Sequence, residues 1–387
     1  MAGQEAVKPA DPSPWIPLLA DYRLTALPFD TLLQGTLHPG LTCASPEVRE
    51  ALAAWKHPAY LQMKDGVTHV ALVWQARSEP RRWPWLHACL FLATLVTTLA
   101  AGAHMAGFDP FGTELLVLGR FAIPYPSGID WPELALGAPF ALPFLGVLLA
   151  HEMGHWVAAR AHRVRASLPY FVPFPPYFSL IGTIGAFIQL RGPTVRRTAL
   201  FDIGAAGPCA SFLLSLPLLA VGLARSQVVP GPASLATPFA MRFWGDTVLL
   251  GNGVITHALA SWLGPGPVGE VLILLHPLAL VGWLGLFVTA LNLLPLSQLD
   301  GGHVTYALSP RGHGVAARVF LVALLPLGFF WWGWWAWITL ILLVSRGRLS
   351  HPSVVQPEPP IGVGRRLLGW ALILTFFLTF VPVPLGL

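Results

Sequence analysis

Long apolar runs separated by short polar or proline-rich connections make up the sequence after about residue 83. Runs long enough to cross a bilayer as helices lie at about 86–104, 134–159, 202–223, 271–291, 320–344 and 367–384. Since about 20 apolar residues span the hydrocarbon core, the pattern predicts a mainly α fold, a polytopic transmembrane helical bundle. Pro326-Leu327-Gly328 interrupts one run, which therefore counts as one span or as a hairpin of two. We predict six or seven spans.

The segment before these runs has a different pattern. Ser45-Pro46-Glu47 is typical of a helix start, with an N-cap residue followed by proline at the first helical position. Residues 68–75 are strand-like in composition. We therefore predict a small N-terminal cytoplasmic α+β region over residues 1–82, with an accessory or regulatory role. A membrane-embedded domain would cover residues 83–387, with its core at about 130–305.

Residues 167–198 are unusual because they are both apolar and rich in proline. Four prolines between positions 169 and 176 exclude a continuous helix, and the run 179–190 carries glycines among isoleucine, threonine and phenylalanine. This pattern favours a short re-entrant extended or β segment, which membrane depth tolerates only against protein or a water-filled cavity. A surface hairpin packed on the bilayer is the alternative.

Composition and charge placement agree with a membrane protein. Hydrophobic residues make up 55% of the chain and charged residues only 11%, against about a quarter in soluble proteins. Arg81-Arg82 precede the first run, and Arg160, Arg163 and Arg165 follow the second, which orients both flanks towards the cytoplasm. We expect a multi-pass protein of the bacterial cytoplasmic (inner) membrane, with the lipid bilayer and no nucleic acid among its partners.

The segment His151-Glu152-Met153-Gly154-His155 lies at the cytoplasmic end of the second apolar run. Residues four apart on a helix share one face, so His151 and His155 can bind one metal ion. Glu152 would then stand beside that ion, where it can take a proton from bound water. A pair of histidines that merely cap a membrane helix is the alternative.

A catalytic zinc site takes three protein ligands and water, so a third ligand must come from elsewhere in the sequence. Asp300 is the best candidate, because a carboxylate beside membrane spans costs about 2.5–3.5 kcal/mol unless it is paired, metal-bound or in water. The cap of a turn before Gly301-Gly302 is its alternative role. Pro295 breaks the fourth run where Asn292 can offer its amide to a substrate carbonyl, although Asn292 can equally cap a helix.

These motifs together resemble those of a known family. The histidine motif at 151–155 and the segment 292–301, Asn-Leu-Leu-Pro-Leu-Ser-Gln-Leu-Asp-Gly, resemble the motif pair of the site-2 proteases, which are zinc-dependent intramembrane metalloproteases. The segment 201–208, Phe-Asp-Ile-Gly-Ala-Ala-Gly-Pro, resembles the bacterial and plastid members. The resemblance covers about residues 130–305. No inserted PDZ module is apparent, since the connection 225–269 is too short for one.

The resemblance implies one zinc ion per chain, held by His151, His155 and Asp300. It implies that Glu152 acts as general acid and base and that Asn292 assists at the scissile carbonyl. The arginine placement described above predicts that this active site faces the cytoplasm. It also implies an extended segment that pairs with substrate. The residues expected at the substrate are Gly182, Thr183, Ile184, Gly185 and Pro295.

The function that follows is an intramembrane zinc metalloendopeptidase. Such an enzyme hydrolyses peptide bonds in or near transmembrane segments of membrane proteins, here expected to be single-pass substrates, in regulated intramembrane proteolysis. The alternative is a membrane metal transporter or a metal-sensing protein that uses the same ligands. Glu152 separates the two functions, because transport needs no carboxylate between the histidines.

Overall fold

The structure is a computed structural model of the 387-residue chain. It describes residues 12–26, 31–55, 57, 59–64, 66–74, 83–190, 196–296, 299–345, 347 and 361–386. Within these ranges the chain is mainly helical and also forms four sheets. The predicted orienting pair Arg81-Arg82 lies outside the described residues.

The helices of the described chain are α1 (Pro46–Ala54), α2 (Pro84–Met105), α3 (Trp131–Ala135), α4 (Ala138–Ala161), α5 (Arg197–Leu223), α6 (Val254–Leu263), α7 (Pro277–Asn292), α8 (Asp300–Leu308), α9 (Pro310–Leu327), α10 (Gly333–Val344) and α11 (Val363–Thr379). The strands are β1 (Leu19–Ala26), β2 (Thr31–Leu37), β3 (Ala59–Lys64), β4 (Val67–Trp74), β5 (Thr113–Leu118), β6 (Phe121–Pro126), β7 (Tyr170–Pro173), β8 (Thr183–Phe187), β9 (Gln227–Val229), β10 (Phe239–Phe243), β11 (Asp246–Leu250), β12 (Leu272–Leu274) and β13 (Leu385–Gly386).

The N-terminal region is an antiparallel sheet of order β1-β2-β4-β3 with helix α1 against it. Helix α1 begins at Pro46 with Ser45 as its N-cap residue, which confirms the predicted start. Trp15, Val48 and Leu72 are fully buried between the sheet and the helix. The α+β character is therefore confirmed, whereas the regulatory role and the division at residue 82 stay predictions.

Two helices of the described chain, α2 and α5, are long and apolar enough by length and composition to cross a membrane. Helix α4 has the length, but the histidine motif and Arg160 lower its mean hydropathy. The fourth predicted span, 271–291, begins as strand β12, which leaves 16 residues in helix α7. Six or seven spans are therefore not confirmed. The apolar run 320–344 divides into α9 and α10, as the hairpin alternative expected.

A five-stranded sheet of order β13-β11-β10-β12-β9 takes four of its strands, β9 to β12, from the connection between α5 and α7. The sheet was not predicted, because residues 225–269 are rich in proline and glycine, which is typical of a connection without regular structure. Its strands have two to five residues each, too few for an alternating pattern to stand out. Phe239, Leu250 and Ile273 of this sheet pack in the same core as helices α4, α5 and α7.

The proline-rich stretch after α4 is extended, as predicted, and forms the antiparallel hairpin β7–β8. The hairpin packs against α2 at Gly182, where a Cβ atom would lie 2.2 Å from the carbonyl oxygen of Thr97. Gly182 also has a φ of +73°, a backbone conformation that favours glycine. The Thr183 hydroxyl donates to the carbonyl of Val172 at 2.7 Å and ties the two strands together.

Helices α4, α5 and α7 pack closely through glycine contacts. A Cβ atom at Gly154 of α4 would lie 2.6 Å from the carbonyl oxygen of Ala206 on α5. On the other face of α5, a Cβ atom at Gly222 would lie 2.0 Å from the backbone nitrogen of Ala279 on α7. Small residues therefore let these backbones approach, and the histidine motif lies at their junction.

Candidate metal centre

His151, His155 and Asp300 meet at the junction of α4, α5 and α8. Their ligand atoms all lie within 4.8 Å of one another. The two Nε2 atoms of the histidines are 3.0 Å apart, and Asp300 Oδ2 lies 3.2 Å from that of His151 and 3.3 Å from that of His155. The structure thus brings together two stretches separated by about 145 residues of sequence.

The local backbone explains how Asp300 reaches the histidines. Helix α7 ends at Asn292, and Pro295, which has no backbone donor, lies buried in the connection that follows. Helix α8 then begins at Asp300 itself. At Gly301 a Cβ atom would lie 1.9 Å from the carbonyl oxygen of Leu293, so only glycine allows α8 to pack against the end of α7. This contact holds the carboxylate at the histidine face of α4.

The donor set fits a zinc ion. Ligand atoms about 2.0–2.2 Å from a tetrahedral zinc ion lie about 3.3 Å from one another, which is the spacing seen between the three side chains. When both Nε2 atoms are deprotonated, two imidazole nitrogens and a carboxylate oxygen this close repel one another unless a cation lies between them. Imidazole and carboxylate groups are also ligands that zinc commonly takes.

Hydrogen bonds from neighbouring helices set the orientation of both imidazole rings. Nδ1 of His155 donates to the carbonyl of Ile203 at 2.7 Å, and Nδ1 of His151 donates to Ser211 Oγ at 3.1 Å. Ser211 Oγ also lies 2.9 Å from Thr289 Oγ1 on α7, and Thr289 donates to the carbonyl of Gly285. Because each Nδ1 carries the proton, each Nε2 keeps its lone pair for a metal ion.

These supporting groups were missed by the sequence analysis. Ser211 and Thr289 are fully buried. Both are polar residues within apolar runs, and this feature of the sequence could have marked them as candidate functional residues. The Ile203 carbonyl is a backbone group and has no sequence signal. Gly207 is also needed at the ring, because a Cβ atom there would lie 2.1 Å from His155 Nε2.

Glu152 and Asn292 lie beside the three ligands. Glu152 is 6% exposed, and its carboxyl lies near the backbone amide of Ile188, just after strand β8. The side-chain amide nitrogen of Asn292 lies 3.3 Å from Nε2 of His151. Asn292 therefore reaches the ligand face of the site, in addition to ending α7.

The residues predicted to contact substrate divide into two groups. Gly182, Thr183 and Pro295 are buried, the first two within the hairpin packing. Ile184 is 66% exposed and Gly185 is half-buried, both on strand β8. Substrate contact stays a prediction for all of them, and its support is strongest for the exposed edge of β8.

A second polar cluster, here called the Asp202 clamp, lies beside Ile203, whose carbonyl contacts His155. The guanidinium of Arg365 donates from Nε and Nη2 to the two carboxylate oxygens of Asp202, both at 2.7 Å. Nε2 of His162 lies 2.7 Å from Asp202 Oδ2. The clamp therefore joins the end of α4, the start of α5 and helix α11.

The fold and the site define a helical protein with a buried two-histidine, one-carboxylate metal centre and an adjacent glutamate. Residues 139–327, which include every proposed ligand, match Peptidase family M50. These residues therefore carry a domain of peptidase family M50, the site-2 protease family. No solved structure matches the chain.

The similar curated proteins include plant proteases. Over 266 residues the chain is 34% identical to the probable zinc metalloprotease EGY1, chloroplastic, of Arabidopsis thaliana. This alignment covers 67% of this chain and 46% of the relative. The protein of the same name from Oryza sativa subsp. japonica is 36% identical over 306 residues, 76% of this chain and 49% of the relative. The chain thus spans about half the length of these relatives.

The comparisons bear on location as well. Both of these relatives are named chloroplastic. The predicted bacterial inner membrane has no support from the comparisons.

Proposed function

We propose that the chain is a zinc-dependent intramembrane endopeptidase that cleaves membrane-protein substrates. The observation that carries the proposal is the meeting of Asp300 with His151 and His155, with Glu152 and Asn292 beside them. A metal-storage or transport site needs the three ligands only. A buried carboxylate that is not a ligand, together with an amide donor, is what peptide hydrolysis requires.

The residues divide the chemistry among them. A zinc ion held by His151, His155 and Asp300 would supply Lewis-acid polarisation and an acidified water. Glu152 takes the proton from the attacking water and passes it to the leaving amine as the C–N bond breaks. Asn292 donates its amide hydrogen to the carbonyl oxygen on which negative charge develops. The buried site limits the access of bulk water to these groups.

The exposed edge of β8 is the proposed place for the substrate backbone. A helical substrate keeps its carbonyls in internal hydrogen bonds and must unwind before cleavage. Strand β8 pairs with β7 on one edge and has no strand partner on the other within the described chain. An unwound segment can pair there, and the strand ends one residue before Ile188, whose amide lies near Glu152.

The proposed setting is a membrane crossed six or seven times, with the N-terminal region and the metal centre on one side. Helices α2 and α5 satisfy the length and hydropathy of spans, and α4 has sufficient length to cross beside them. The names of the relatives favour a plastid membrane. Single-pass proteins are the proposed substrates.

The test compares wild-type protein with Glu152→Gln in reconstituted bilayers. We expect the variant to lose cleavage of a panel of single-pass proteins while keeping about one zinc ion per chain, because the glutamine preserves shape and removes only the base. Zinc is measured by elemental analysis, and cleavage is measured by the appearance of shorter products on a denaturing gel. Cleavage that persists in the variant would contradict the mechanism. Metal flux into vesicles without any cleavage by the wild type would favour transport instead.

A further inference from the structure

A basic cavity lies where helix α2 begins and helix α4 ends. Its volume is about 540 Å³, within the range of small-ligand sites. Three arginines line it, Arg160, Arg163 and Arg165, and among its described lining residues there is no aspartate or glutamate. A concave surface that gathers positively charged side chains attracts anions.

Two tryptophans place this cavity at the level of the membrane surface. Trp83 lies immediately before α2, and Trp156 lies in the last turns of α4, and both line the cavity. The guanidinium of Arg160 lies 4.6 Å over the ring of Trp156, a cation–π contact. Tryptophan at the ends of apolar helices is typical of the headgroup layer of a bilayer.

The backbone at Arg163 supports a role for its side chain in binding. Helix α4 ends in a turn in which Arg163 has a φ of +57°, and the amide of Val164 donates to the carbonyl of Ala159. Glycine is the usual residue at such a helix end, because other L-residues pay about 1–2 kcal/mol for this conformation. Arg163 adopts this conformation in spite of that cost, and its charged side chain lines the cavity.

We propose that this cavity binds the phosphate-bearing headgroup of an anionic phospholipid, with Arg160, Arg163 and Arg165 around the phosphate. The proposal rests on the membrane placement proposed above, and it does not depend on peptidase activity. Clusters of basic residues on the inner side of membrane helices bind such headgroups. Trp156 directly follows the ligand His155, so a bound lipid would hold the end of α4 within a turn of the metal centre.

Binding is measured by native mass spectrometry of the purified full chain in detergent micelles, offered phosphatidylglycerol or phosphatidylcholine. We expect the wild type to retain phosphatidylglycerol in preference to phosphatidylcholine. The Arg163→Gly variant should retain about fivefold less phosphatidylglycerol, because each arginine near anionic lipid contributes about 1 kcal/mol. Glycine accepts the backbone conformation at this position, so the variant should melt at or above the wild-type temperature.

Two further variants and one soluble probe complete the test. Arg160→Gln should weaken phosphatidylglycerol binding in the same way, whereas Arg311→Gln removes an exposed arginine of α9 outside the cavity and should leave binding unchanged. Equal retention of the two lipids, or equal losses in Arg163→Gly and Arg311→Gln, would overturn the proposal. Inorganic phosphate that binds the wild type as tightly as phosphatidylglycerol would show a site for soluble phosphate and would also overturn it.

Discussion

The buried metal centre and the Asp202 clamp are built from similar parts, and each includes a histidine from the C-terminal half of α4 or its cap. Each has a carboxylate that meets histidine at 2.7–3.3 Å. In the clamp, the Arg365 fork neutralises Asp202. In the metal centre, Asp300 meets only imidazoles and is paired with no arginine or lysine in the described chain.

The difference shows what makes one cluster a metal site and the other a structural contact. A carboxylate with a bidentate guanidinium has its charge and its lone pairs satisfied, and a metal ion would have to displace the arginine. A carboxylate that faces two imidazole lone pairs needs a cation for the same satisfaction. Residue types alone do not separate the two clusters, since both contain aspartate and histidine.

The largest effect that can break this comparison is expected from Asp300→Asn. The substitution removes the only formal negative charge among the three ligands, so zinc affinity should fall more than a hundredfold and cleavage should be lost. Asp202→Asn, the matched change in the clamp, should leave zinc content near one per chain. Elemental analysis after dialysis against a zinc buffer measures both. Equal zinc loss in the two variants would remove the distinction between the clusters.

A second prediction concerns the amide donor, which has no counterpart in the clamp. Asn292→Ala should lower kcat about a hundredfold, as expected for the loss of one donor to a developing oxyanion. Zinc content should stay unchanged, because the three ligands remain. Steady-state cleavage of a purified single-pass substrate gives kcat. A variant that lost zinc in proportion to activity would show that Asn292 serves the ligands and not the substrate.

A smaller effect is expected from Ser211→Ala, which removes the acceptor for His151 Nδ1. Loss of such a hydrogen bond lowers metal affinity by roughly tenfold or more, because the ring is no longer held in one tautomer. Competition with a chelator of known affinity measures the change. Ser215→Ala, on the same helix one turn further, removes a buried hydroxyl that does not touch a ligand and serves as the control.

The smallest effect is expected from breaking the clamp with Arg365→Gln. Arg365 is more than a third exposed, so solvent screening limits the ion pair to about 1 kcal/mol. The melting temperature should fall by a few degrees, with zinc affinity within twofold of the wild type. Thermal unfolding in detergent measures the shift. A large loss of zinc would mean that the clamp holds α5, and with it the Ile203 carbonyl, in place for the metal.

The sequence predicted the residues of the metal centre better than it predicted the secondary structure around them. The histidine motif and Asp300 could be singled out from the sequence because charged residues are costly in membrane helices, so the few present are informative. The sheet containing β10 and β12 was missed because its strands are short and interrupted by turns. Leu272 was predicted to lie within the fourth membrane span, and it lies in strand β12. The prediction was wrong because short apolar runs do not distinguish a strand from a helix.

The bond from His155 to the Ile203 carbonyl has a consequence for how this site can be dissected. The acceptor belongs to the main chain, so an alanine scan would register nothing of it, and even a leucine at position 203 would leave the imidazole aligned. Only a change in the polypeptide linkage itself, such as an ester in place of the amide at Gly204, weakens that oxygen as an acceptor. Part of the support for the metal ligands is therefore a main-chain hydrogen bond, which amino-acid substitutions can alter only indirectly.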